Sequence, residues 1–160
     1  TEVVMPGTNA KMNEFQALMG IEMLKHMDTS IVRRRAVTAS YRERLARIPG
    51  IHPPLPLPSG VAYNYAYMPG EILPDFPLTR DALYDMLNAY NVFSRRYFYP
   101  LVSDFPCYRG LPISDPLVVA RGVASRILAL PIYDDLAIED VHRICDILEV
   151  IVSQRQPPGV

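Results

Sequence analysis

Sixteen prolines divide this 160-residue chain, and they cluster between its stretches of regular apolar spacing. That is about twice the usual proline usage. A proline inside a helix or a central strand removes a backbone donor, so each cluster marks a stop. From Pro49 onward the chain must therefore fold as short elements between fixed breaks. Because 49% of it is hydrophobic, enough for one core, the breaks punctuate a globular fold and do not signal disorder.

Between the breaks, periodicity assigns the elements. Met12, Phe15, Met19, Met23 and Met27 recur at three- and four-residue steps, one face of a helix. Core packing is the expected use of that stripe, in preference to a promiscuous groove. Asp28-Thr29-Ser30 is an N-cap signal that would restart or kink the helix, and Ile31 to Ile48 continues it until Pro49-Gly50. His52 to Ser59, with four prolines, reads as an extended connector. Ala62 to Met68 reads as a strand with Tyr63, Tyr65 and Tyr67 on one face. Thr79-Arg80-Asp81 opens a helix carrying Leu83, Met86, Leu87 and Tyr90, and Asn91 to Phe98 is a second strand. Asp115-Pro116 is an N-cap and first-position pair for a short helix to Ala124. Arg126 to Pro131 is a third strand. Glu139 and Asp140 suit the start of a last helix whose inner face is Val141, Ile144, Cys145, Leu148 and Ile151. The expected class is α+β: two long N-terminal helices, then a small, mainly antiparallel three-stranded sheet with helices. The boundaries fall at 1–50 for the helical segment, 51–153 for the small domain and 154–160 for a tail.

A net charge of −1 gives no field that would draw nucleic acid or an anionic membrane, and no apolar run reaches the length of a membrane span. Cys107 and Cys145 form no metal spacing and suit a reducing cytoplasm, and His26, His52 and His142 are scattered, so no metal site is expected. Arginine outnumbers lysine fourteen to two, leaving only Lys11 and Lys25 for any amine chemistry. The chain starts without Met in what reads as mid-fold, as a fragment would.

Gly7 to Glu14, running into Phe15 to Gly20, joins a polar loop to a helix. An asparagine at such a junction can donate its amide to an anion, and Lys11 adds a point charge. Further on stand Arg33-Arg34-Arg35 with Tyr41 and Leu45, then Tyr65-Ala66-Tyr67, then Ser94 to Leu101 with Pro106 and Tyr108. Leu128-Ala129-Leu130-Pro131 with Tyr133 and Glu139-Asp140-Val141 close the series. These segments, in this order over nearly the whole chain, resemble the C-terminal part of the DegT-like sugar-nucleotide aminotransferases. Those are pyridoxal-phosphate (PLP) enzymes of fold type I.

The resemblance implies an enzyme that moves an amino group from glutamate to a nucleotide-linked keto-sugar, in polysaccharide or aminosugar synthesis, as a cytoplasmic homodimer. It places the imine-forming lysine, and most of the PLP site, upstream of this chain, so no catalytic residue is expected here and the chain alone is expected to be inactive. Asn9 would reach the PLP phosphate of the partner subunit. Lys11 would lie near substrate carboxylate or phosphate, Tyr97 near the sugar, and Arg95 and Arg96 are candidates for the diphosphate. Neighbours on one strand face opposite ways, so only one of the two arginines can face the site. Arg33 to Arg35 fan around a helix and form no phosphate patch. The loop from Leu101 to Ser114 would help to select the substrate. The alternative reading is a non-catalytic dimerisation or binding module, or a degenerate homologue.

Overall fold

The computed structural model describes residues 10–105, 108, 111–112 and 114–154. Helix α1 spans Glu14–Leu45 in one run of 32 residues. Asn13 caps it: its side chain accepts from Gln16 N at 2.9 Å, and Gln16 Oε1 accepts from Asn13 N at 3.0 Å. This reciprocal pair satisfies two donors that a helix start leaves open. The expected break at Asp28-Thr29-Ser30 is absent, so one helix replaces two. Ser30 does not cap; its Oγ donates to Asp134 Oδ2 at 2.7 Å across the fold. A tertiary bond has taken the hydroxyl that local geometry would have used for a cap.

After α1 the chain turns at Gly50, whose φ of 78° is left-handed. Strand β1 (Ile51–His52), strand β2 (Met68–Ile72) and strand β3 (Ile127–Leu130) form an antiparallel sheet in the order β1-β2-β3. Helix α2 is Arg80–Ala89, helix α3 Val118–Arg126 and helix α4 Ile138–Ser153, with a short 3-10 turn at Val102–Asp104. The α+β class and the small antiparallel sheet match the sequence reading, as does β3.

Two expected strands are displaced. Ala62 to Tyr67 is not a strand, because Tyr65 has φ 51° and Asn64 Oδ1 accepts from Ala66 N in a local turn. The strand begins at Met68 and passes through Pro69. Ala129, opposite Pro69, turns its N–H and C=O toward Arg95 (2.8 and 2.9 Å), so Pro69 and Ala129 form a pair without mutual hydrogen bonds. On the other side β1 is only two residues long and pairs no further along β2 than Glu71. The missing proline donor therefore costs nothing. The expected strand from Asn91 to Phe98 shrinks to a single bridge, Arg95 with Ala129, because Asn91 (φ 57°) and the Ser94 N to Val92 O bond curl the preceding chain. The short helix also starts later than Asp115-Pro116 suggested. The Asp115 carboxylate accepts from Leu117 N at 2.8 Å, forming a turn ahead of α3.

One core holds these elements. Val37, Tyr41 and Leu45 of α1 join Val141, Cys145 and Leu148 of α4 with the buried faces of β2 and β3. The whole expected inner face of α4 is buried. The methionine stripe is not. Met12, Phe15, Met19, Met23 and Met27 are exposed, Phe15 by 82%, contrary to core packing. At 1.5 Å per residue α1 is about 48 Å long and α4 about 24 Å, so half of α1 extends beyond its partner.

Candidate functional site

The end of β3 and the start of α4 leave a cleft between them, and the chain from 90 to 97 closes it into a pocket of about 680 Å³. Val92, Ile132, Ile144 and Ile147 give it an apolar floor. Its polar lining comes from Tyr67, Tyr90, Asn91, Arg95, Tyr97 and Tyr133, with Asp140 and Arg143 of α4. An apolar floor bordered by polar side chains can hold a small molecule that has both apolar and polar parts.

The Arg95–Ala129 bridge fixes which residues face inward. With the Arg95 backbone tied to β3, Arg95 and Tyr97 line the pocket while Arg96 points away. Arg96 Nη1 lies 3.2 Å from Asp81 Oδ1, and its guanidinium sits 4.6 Å from the Tyr84 ring centre and 5.9 Å from that of Tyr99. This side chain is a packed charge between aromatic faces and α2, not a pocket donor. Among the described residues Arg95 has no ion pair of its own, whereas Arg143 is held by Asp140 at 2.8 Å.

Tyr97 and Tyr67 share a hydrogen bond, Oη to Oη 3.1 Å, and their rings are 4.7 Å apart. The hydrogen bond to Tyr97, and the proximity of that second phenol, push Tyr67 above the ordinary tyrosine value, with Arg95 pulling the other way. Tyr67 was noted in the sequence only as part of an aromatic strand. Its place in the wall arises because the chain leaves the Tyr65 turn just before β2. Tyr133, Asp140 and Arg143 were likewise not foreseen as lining residues; Arg143 and Asp140 carried the only local signal, an i,i+3 charge pair on α4.

Of the other expected site residues, Asn9 lies outside the described residues, as do Pro106 and Cys107 in the long loop and residues 155–160 of the tail. Lys11 is exposed just before the Asn13 cap and does not line the pocket. Lys25 is exposed and bound to Glu22 at 2.6 Å. Neither lysine lines the pocket. Arg33 pairs with Asp135 and Arg34 Nε donates to Ser30 O, so two of the three arginines are engaged within the fold. Among the described residues no group of three or more His, Cys, Asp or Glu could hold a metal ion, and no helix is long and apolar enough to cross a membrane.

Residues 1–149 match the model of the DegT/DnrJ/EryC1/StrS aminotransferase family. The chain is 42% identical over 148 residues to the dTDP-4-amino-4,6-dideoxy-D-glucose transaminase of Escherichia coli, covering 91% of this chain and 40% of that protein. It is 39% identical over 154 residues to the enzyme of the same name from Shigella dysenteriae, covering 96% and 40%. Among solved structures, DesI in the presence of its TDP-sugar product superposes with a TM-score of 0.84 at 34% identity, over 92% of this chain and 38% of that one. The chain thus spans about two fifths of the length of these relatives.

Proposed function

The chain belongs to the DegT/DnrJ/EryC1/StrS aminotransferase family, and from that premise we propose that it forms the C-terminal part of a PLP-dependent sugar-nucleotide aminotransferase. The complete protein transfers an amino group from glutamate to a nucleotide-linked keto-sugar. The kind of substrate is supported by the relatives, which are transaminases of a dTDP-sugar. PLP supplies the chemistry that makes the amino group transferable. The lysine that holds it belongs to sequence outside this chain, with Asn9 adding a donor to its phosphate across a homodimer interface.

The observation that carries the site is that Arg95 and Tyr97 both line the pocket, with Arg96 turned away. Arg95 offers paired donors to a phosphate oxygen, and Tyr97 offers a hydroxyl to the sugar. The apolar floor excludes water from the ligand. Lys11, on exposed chain ahead of α1, serves the same substrate from a partner subunit.

Amino transfer by the protein that carries this chain, loaded with PLP and supplied with glutamate and nucleotide-linked keto-sugars, tests the reading. Arg95→Met should lower kcat/KM by about tenfold or more, the loss of one charged hydrogen bond of about 1.5–3 kcal/mol. No turnover with any such sugar, or an Arg95→Met enzyme equal to wild type, rejects it.

A further inference from the structure

The Tyr67–Tyr97 contact joins two segments thirty residues apart, one leading into β2 and the other leaving the Arg95 bridge. A lone phenol hydroxyl has one proton and two acceptor sites and swings freely between them. Two phenols in contact do not: the bond between them uses one proton and one lone pair, with Tyr97 as the donor and Tyr67 as the acceptor. Ring packing at 4.7 Å holds both oxygens in place, and Arg95, which has only donors, lines the same pocket.

We propose that Tyr67 is a positioning residue: by taking the proton of Tyr97 it turns the Tyr97 lone pairs toward the pocket, so that Tyr97 accepts a hydrogen bond from a hydroxyl of the bound sugar. This rests on the reading of the pocket as the sugar-nucleotide site. Tyr67 need not touch the ligand; it acts through Tyr97.

A double-mutant cycle in the PLP-loaded protein that carries this chain tests it, because Tyr→Phe keeps each ring and removes only the hydroxyl. Tyr97→Phe should raise KM for the nucleotide-linked sugar about tenfold, as for one hydrogen bond, and Tyr67→Phe by about three- to tenfold with kcat nearly unchanged. The double variant should be no worse than Tyr97→Phe, since Tyr67 has nothing left to orient. Effects that multiply, or a Tyr67→Phe enzyme equal to wild type beside an impaired Tyr97→Phe, overturn the positioning role alone. A Tyr97→Phe enzyme equal to wild type overturns the site reading with it. A readout independent of turnover is the ionisation of Tyr67 in protein with carbon-labelled tyrosine. It should shift in Tyr97→Phe, and an unchanged value refutes the coupling.

Discussion

Arg80 is 3% exposed, and what surrounds its guanidinium explains why a charge is tolerated there. Nη1 donates to the carbonyls of Ala124 at 2.9 Å and Ile127 at 3.2 Å, which the end of α3 leaves open. The Tyr99 ring lies 4.7 Å away. Nε is 2.9 Å from Asp81 Oδ1 but poorly directed at it, so that contact is electrostatic and not a true hydrogen bond. Arg80→Met should leave two carbonyls without donors and destabilise the fold by about 1–3 kcal/mol, read as a lowered denaturant midpoint. Arg80→Lys should recover only part of this, because one ammonium cannot serve both carbonyls and the ring. Gly50 is as constrained by its backbone. A Cβ there would stand 2.6 Å from the Phe76 backbone, at a φ that L side chains rarely adopt. Gly50→Ala should cost about 1–3 kcal/mol for the strained conformation alone. A midpoint equal to wild type would show that the turn relaxes.

At the scale of elements, α1 depends on its pin to the loop between β3 and α4. Ser30 donates to Asp134 and Arg33 pairs with Asp135 near the middle of the helix. The hydrogen bond from Ser30 holds the Asp134 carboxyl below its ordinary value, helped by a backbone hydrogen bond and by Arg34 and Arg33 against a smaller desolvation effect. A carboxyl lowered by folding stabilises the fold above its unfolded value, and that contribution is lost as pH falls through the folded value. Amide protection around residues 28–34 should therefore weaken as Asp134 protonates. Ser30→Ala should lower protection near neutral pH and converge with wild type in acid. Equal protection at neutral pH would mean that the pin contributes nothing. The sequence carries the groups of this pin, but locally Asp28-Thr29-Ser30 has the form of a cap. Both are hydroxyl and carboxylate chemistry, and only the position of Asp134, 104 residues away, decides between them.

For the whole molecule, the projecting half of α1 is the largest unpaid feature. Met19 and Met23 lie on one side of it, and Leu18, Ile21 and Leu24 lie roughly opposite at 3.6 residues per turn, all exposed. A helix apolar on both sides is buried on both sides in its working state. A homodimer with this half at the interface, together with the rest of each subunit, accounts for both faces. The protein that carries this chain should sediment as a dimer, and Met19→Asp with Met23→Asp should weaken the association. A monomer at every concentration would contradict this.

Local patterns of the sequence determined much of this protein. An apolar run stopped by Pro131 located β3, helical spacing after Thr79 located α2, the 3.6-residue period gave every buried position of α4, and ordered motifs identified the family. These are readable because their physics lies within a few residues. Tertiary structure alone decided the rest. Pro69 is tolerated because β1 is short and Ala129 is already bonded to Arg95. The methionine stripe is bare because α4 is half as long as α1. Arg95 lines the pocket, and Arg96 does not, because one bridge to Ala129 sets the register of that segment. In each case a distant partner settled a choice that the local sequence left balanced.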